Sequence, residues 1–211
     1  MKRAEKAQIV LEELARGIPE PEVPLHHSDA FTLLVAVVLS AQCTDARVNM
    51  VTPALFAAAP NAAALAAMEW QQVSPYIHSC GFFESKAKRL VEMARMLVAK
   101  HGGQVPSSFE ELEALPGVGH KTASVVMNQA FGYPAFPVDT HIFRLARRWG
   151  LSRGNTVEKV EADLKKIFPQ ESWGLLHLRM VLWGRLHCPA RGCKPACAVC
   201  RRLAEGGVKI A

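Results

Sequence analysis

The chain has almost nothing that reads as β-structure. No alternating run of β-branched and polar residues bounded by turns occurs in its 211 residues, which argues against a sheet. Long apolar runs are missing as well. The most apolar stretch, Phe31 to Leu39, is far short of the roughly 20 residues a bilayer crossing needs. The basic start MKRAEKAQIVLEELARG is interrupted by Glu12 and Glu13. It is therefore expected to be neither a signal peptide nor a span, and a cytoplasmic, nucleoid-associated location is expected. Repeats and low-complexity segments are absent too, leaving room for one large domain or two small ones.

Acidic residues are in deficit, 19 against 25 lysines and arginines, for a net charge of +6. That suits a polyanionic partner without requiring one. Half the residues, 50%, are hydrophobic, so the chain is globular and not disordered. Cysteine is scarce until the end: Cys43 and Cys80 stand alone and read as small buried hydrophobes. The other four, Cys188, Cys193, Cys197 and Cys200, fall in one short loop. In a reducing compartment such a group points to metal or iron–sulfur ligation and not to disulfides.

What is present is helix signal. An amphipathic segment around Ala4 to Arg16 stops at Gly17, and three prolines follow as an extended link. Ser28 or Asp29 caps FTLLVAVVLS, which is apolar on every side and so belongs at the centre of a core. Thr44 or Asp45 starts the next helix, and Asn61 caps a short alanine-rich one. A short segment holds Val73 to Ile77, and a long helix runs from Ser85 to His101. Ser108 with Glu111 forms a capping box, and Asn155 with Glu158 a second. A last helix covers about Glu171 to His187, and the chain then ends in the cysteine loop. The expected fold class is all-α.

The most unusual stretch is Leu115 to Arg144, LPGVGHKTASVVMNQAFGYPAFPVDTHIFR. Pro116 stops one helix, and Gly117 and Gly119 permit positive φ and leave their amides uncovered. A helix then starts at about His120, so free N–H groups and a positive dipole end point the same way. That is an anion site suited to a DNA phosphate, or else an ordinary tight αα turn. Lys121 sits in the first turn of this helix, where a cation opposes the dipole. That field, and any burial against Val125 and Val126, lowers the pKa of the amine. A nucleophilic lysine needs such a setting; the alternative is a solvated lysine reaching for phosphate. Asp139, after the break YPAFPV, is either the N-cap of THIFR or a carboxylate held at the mouth of a cleft.

Together these residues resemble the endonuclease III family of DNA repair glycosylases, in the helix-hairpin-helix superfamily. LPGVGHKTASVVMNQAFG is similar to its hairpin and catalytic-lysine motif, and VDTHIFR to its catalytic-aspartate motif. LSAQCTDARVN and GFFESKAKRL are similar to the family's segments before the hairpin, in the right order. The resemblance implies two all-α domains. A six-helix barrel with the hairpin spans residues 23–133, and an iron–sulfur cluster domain is made of residues 1–22 and 134–211. The active site is expected in the cleft between them.

The same resemblance implies a monomeric bifunctional DNA glycosylase and abasic-site lyase acting on duplex DNA. Lys121 attacks C1′ at oxidised pyrimidines, and β-elimination nicks the strand at the resulting abasic site. Asp139 stabilises the positive charge on the sugar. Gln42 fills the gap left by the flipped base, and Phe82, with Phe83 beside it, takes the place of the wedge, though either Phe by itself can be core. Gly117, Gly119, His120 and His141 belong to the DNA-facing set, as do Arg191 and Lys194, with Arg201 and Arg202 as further phosphate contacts. A non-catalytic or weakly active binder of damaged DNA is the alternative.

The cysteine loop departs from the family. Its spacing is C-x4-C-x3-C-x2-C, where the family has C-x6-C-x2-C-x5-C. Three readings stay open: a four-iron four-sulfur cluster held by all four cysteines, a zinc ion, or free thiols with the metal lost. His187 beside them reads as incidental.

Overall fold

The computed structural model describes residues 1–193 and 197–210. Among these residues there is no strand, and the helices are α1 (Arg3–Gly17), α2 (Ala30–Leu39), α3 (Asp45–Ala58) and α4 (Ala62–Ala66). There follow α5 (Trp70–Ile77), α6 (Phe83–His101), α7 (Phe109–Glu113), α8 (His120–Phe131) and α9 (Thr140–Arg148). Last come α10 (Val157–Ile167), a 3-10 turn at Gln170–Ser172, α11 (Trp173–Leu186) and α12 (Ala198–Glu205). None of them is long and apolar enough to cross a membrane.

The helix starts follow the short polar residues. Asp29 accepts from Thr32 N at 2.8 Å, and Thr44, Asn61, Ser108 and Asp139 each accept from the amide three residues on. One start differs from expectation: α10 is capped by Thr156, one residue after Asn155, because Thr156 Oγ1 accepts from Lys159 N. The helix α12, absent from the sequence reading, begins at the C-x2-C pair.

The chain divides into two compact units, Val23–Tyr133 and the pair of segments Met1–Glu22 with Pro134–Ala211. The first unit is built on α2, whose residues Phe31 to Leu39 are all buried. Packing of α2 against α3, α6 and α8 explains how ten residues with no polar face form a stable helix. Truncating one of them, such as Leu34→Ala, would cost on the order of 2–5 kcal/mol.

The second unit packs α1, α9, α10, α11 and α12 on one another. Its α9 presents Ile142, Leu145, Ala146 and Trp149 at i, i+3, i+4 and i+7, all buried. Its α1 contributes Val10 and Leu14, both 0% exposed. On α12, Arg202 pairs with Glu12 at 3.0 Å and with the buried Glu13 at 2.7 Å. Arg202 is therefore a structural partner of α1, which corrects its reading as a phosphate contact.

Candidate nucleic-acid interface and thiol centre

In the Val23–Tyr133 unit the hairpin joins α7 to α8. Gly117 has φ +82°, and a Cβ there would lie 3.3 Å from Arg89 Cδ and 3.6 Å from Val38 Cγ1. The positive φ is what calls for glycine, since the neighbouring atoms leave nearly enough room for a Cβ. Gly119 differs from expectation: it is extended, with φ −101° and ψ 176°, and caps α8 without any side chain. Its site faces open space, so a side chain there would meet no neighbour. His120, exposed, pairs through Nδ1 with Glu113 Oε1 at 2.7 Å and stacks on Phe109. This hydrogen-bonding contact links the two helices of the hairpin.

Lys121 follows in the first turn of α8 and is exposed, whereas Ala123 to Met127 are buried. Burial against Val125 and Val126 is thus not part of its surroundings. The unfavourable end of the dipole is.

Two residues in this unit adopt left-handed backbone without being glycine: Gln42 at φ 52° and Phe82 at φ 58°. Such conformations are held at a cost of about 1 kcal/mol or more and concentrate at functional sites. Both residues line one cavity of about 240 Å³, together with Arg89 and Gly117 of the hairpin. Phe82 stands 70% exposed. Phe83 is only half-buried and packs against the core of the unit, so the two phenylalanines have parted roles.

Sequence reasoning missed Lys86, which lies on the same cavity. It is 5% exposed, and its Nζ donates to Leu39 O at 2.9 Å, closing the C-terminal end of α2. A lysine on the polar side of a helix gives no sign of that. Cys80 is buried and Cys43 half-buried, and burial together with the neighbouring Cys43 thiol pushes the Cys80 thiol up to about 11.

In the other unit, Asp139 caps α9, its Oδ1 accepting from Ile142 N at 2.8 Å. The strand-like approach to it is fixed by the buried His177, whose Nδ1 bonds Pro137 O at 2.8 Å. His141 is half-buried, and burial, more than the opposing Asp139 carboxylate, lowers its pKa. Arg144 and Arg148, one turn apart on α9, bind the start of the cysteine loop. Arg144 Nη2 donates to Gly184 O and Cys188 O, both at 3.0 Å, and Arg148 Nη1 donates to Pro189 O at 2.9 Å. The i, i+4 arginines of THIFRLARR were the available signal. Arg191 and Arg201 are exposed, and Lys194 lies outside the described residues.

The sulfurs of Cys188, Cys193, Cys197 and Cys200 all lie within 4.8 Å of one another. Cys188 Sγ is 3.9 Å from Cys193 Sγ and 3.7 Å from Cys200 Sγ. Donated bonds from Cys188 and Cys200 hold the Cys197 thiol far below the usual range. Burial pushes Cys193 up to about 12, and bonding to Cys188 raises Cys200. Proton sharing of this kind lets one sulfur ionise at the expense of its neighbours; a bound metal ionises all four. The donor set and its closure can hold a thiophilic metal.

A glycine hairpin opening a helix, with residues of left-handed backbone lining an adjoining cavity, is the equipment of a helix-hairpin-helix DNA protein. Residues 35–170 match the HhH-GPD superfamily base excision DNA repair protein family. Endonuclease III of Escherichia coli strain K12 is 43% identical over 200 residues, covering 95% of this chain and 93% of that one. Endonuclease III of Bacillus subtilis strain 168 is 40% identical over 204 residues, covering 96% and 92%. A solved structure of a trapped endonuclease III–DNA covalent intermediate, an estranged-adenine complex, superposes with a TM-score of 0.91. It has 40% identity and covers 99% of this chain and 100% of that one. The chain belongs to the HhH-GPD superfamily of base excision DNA repair proteins and, within it, to the endonuclease III family.

Proposed function

We propose that this protein is a base excision repair enzyme, a bifunctional DNA glycosylase and abasic-site lyase, and that Lys121 is its nucleophile. The observation that carries the reading is the likeness, along essentially the whole chain, to an endonuclease III captured covalently on DNA. The substrates are duplex DNA with oxidised pyrimidines, and abasic sites, and the enzyme acts on them as a monomer in the cytoplasm.

The hairpin amides from Gly117 to His120 grip a backbone phosphate, and the positive end of α8 adds to the attraction. Phe82 enters the stack of the opposite strand, and Gln42 occupies the gap left by the extruded nucleotide. Their left-handed backbones hold both side chains out before DNA arrives, so less ordering is needed on binding. Lys86 fixes the loop that carries Gln42 by holding Leu39 O. His141, Arg191 and Lys194 add contacts to the duplex.

The chemistry needs a neutral amine. The dipole of α8 works against the ammonium form of Lys121, and removing its proton prepares the attack. Lys121 Nζ forms a bond to C1′ of the flipped nucleotide as the bond from C1′ to the base breaks, and the base leaves with the bonding pair. Positive charge on the sugar at this stage is met by the Asp139 carboxylate, whose Oδ1 is already fixed by Ile142 N. Opening of the sugar ring gives a Schiff base. Loss of a proton from C2′ then expels the 3′ phosphate, and water releases the lysine.

An iron–sulfur cluster is what the family resemblance implies for the four thiols. Their number supports it, and their spacing speaks for a smaller group. Borohydride reduces a Schiff base to a stable amine, so it should join the enzyme to DNA containing an abasic site. Lys121→Ala should abolish the adduct, and trapping that persists in this variant would remove Lys121 from its role.

A further inference from the structure

We propose that Cys188, Cys193, Cys197 and Cys200 hold one tetrahedral Zn²⁺ in place of a four-iron cluster. The first argument is size. Four sulfurs bound to one ion at about 2.3 Å stand about 3.8 Å apart along the edges of the tetrahedron. In a four-iron cube each thiolate is bound to a different iron, outside an inorganic core. Its sulfurs are then separated by on the order of 6 Å. Here the two resolved separations from Cys188 are 3.9 and 3.7 Å, and no pair among the four exceeds 4.8 Å. The sulfurs stand at the spacing of the single ion and closer together than the ligands of the cube. The four cysteines are free thiols in this structure.

The second argument is the loop that builds the cage, and it comes from the sequence alone. The four cysteines span thirteen residues, Cys188 to Cys200, where the family spacing spans seventeen. The family's last cysteine has no counterpart after Cys200, and Cys193 is new between the first two. A shorter loop with one ligand moved inward encloses a smaller group. Cys197 caps α12 and Cys200 lies in its first turn, so this pair forms one knuckle on a helix start. Both sulfurs face the same centre from one turn of chain.

The site is closed. Cys188, Cys197 and Cys200 are 0%, 1% and 6% exposed, and four sulfurs complete a zinc shell with no position for water. Arg148 Nη1 donates to Cys188 Sγ at 3.2 Å, and Trp183 Nε1 donates to Cys197 Sγ at 3.4 Å. Those donors offset thiolate charge and fix two of the ligands. They would serve either group; the size of the cage decides between them. Such a centre is structural and carries no redox chemistry, because Zn²⁺ has a filled d shell.

The test is metal analysis of the whole chain, produced anaerobically in medium supplied with both iron and zinc. We expect one zinc per chain, no acid-labile sulfide and a colourless solution. Replacement by Co²⁺ should give the bands of a tetrahedral thiolate site between about 600 and 750 nm. A brown protein with about four irons and four sulfides per chain overturns the proposal. One iron per chain, or no metal, also overturns it. Cys193→Ser separates this site from the family arrangement: zinc should leave it to a chelator at least tenfold faster, and unchanged release counts against the proposal. Borohydride trapping by Lys121 is scored independently, so failure of the zinc site and failure of the lyase reading are distinguishable.

Discussion

Two helix starts in this protein use the same device with opposite charge. Neither α8 nor α12 is opened by a Ser, Thr, Asp or Asn cap: Gly119 opens the first, and Cys197, whose sulfur takes the Cys200 amide, opens the second. Each presents the positive end of its dipole to the side chains of its first turn. At α8 the field meets a cation, Lys121, and works against its charge. At α12 the field meets the Cys197 sulfur and favours its ionised form. One start thus helps to make a nucleophile, and the other helps to make a metal ligand. The difference shows that such a start has no single meaning until the side chains of its first turn are read.

The comparison breaks most sharply at Lys121. Lys121→Ala should lower turnover on an oxidised-pyrimidine duplex by about a thousandfold or more, since a nucleophile has no substitute. The same change should leave Tm within about 1 °C or raise it slightly, because an exposed cation is removed from the wrong end of a helix. A large loss of Tm would mean that the lysine supports the fold, and the contrast with α12 would fail.

At α12 the expectation is reversed. Cys188→Ser removes a ligand that is 0% exposed. Stability tied to the metal would be lost, on the order of several kcal/mol, and Tm should fall by roughly 10 °C or more. Thermal unfolding followed by circular dichroism, with and without a chelator, reads this directly. A variant as stable as the parent would show that the thiols hold nothing.

Much of this contrast was legible in the sequence. The all-apolar α2, the caps at Asp29, Thr44, Asn61, Ser108 and Asp139, and the hairpin itself are local signals, set by residues within one turn of each other. What was not legible depends on distant partners. Gln42 and Phe82 carry left-handed backbone that local preference would give to glycine or asparagine. Arg202 answers to Glu13, 189 residues away, and Lys86 to Leu39 O, 47 residues away. The distances between the four sulfurs likewise depend on how the loop closes, although its shortened spacing was legible. Gly119 shows the limit from the other side: it was read both for positive φ and for its lack of a side chain, and with an extended backbone only the second is used.

Phe82 offers a smaller test of what an exposed start can hold. It is the left-handed residue just before α6 and 70% exposed. Phe82→Gly should keep or raise stability by up to about 1 kcal/mol, because glycine accepts that backbone freely. Turnover on damaged duplex should fall roughly ten- to a hundredfold with the loss of the wedge. Equal activity would assign the cavity rim to folding alone.

The arginines of α12 divide next. Arg202→Ala removes one partner of Glu13, which is 3% exposed, while Arg16 still bridges that carboxylate at 3.0 Å. A modest fall in Tm is expected, with the salt dependence of DNA binding unchanged. Arg201→Ala, at an exposed position, should lower the slope of log K against log salt by about 1 and leave Tm alone. An exchange of these two outcomes would restore Arg202 as a phosphate contact.

The smallest effect concerns His141, one turn from the sulfur loop's anchor at Arg144. Burial lowers its pKa below the usual histidine value. Asp139 opposes this, while Arg144 and Arg185 add to it. A group whose folded pKa is depressed binds its proton more readily when unfolded, so stability should fall as pH drops through about 6.5. Above that pH the ring is neutral in both states and the contribution is flat. Because the ring is only half-buried, the drop in Tm between pH 7 and pH 5 should be small, about 1 °C after subtracting the same scan of His141→Gln. If the variant loses as much stability as the parent over that range, other groups carry the acid sensitivity. If the parent gains stability on acidification relative to the variant, the ring is held by Asp139 and not repelled by its buried surroundings.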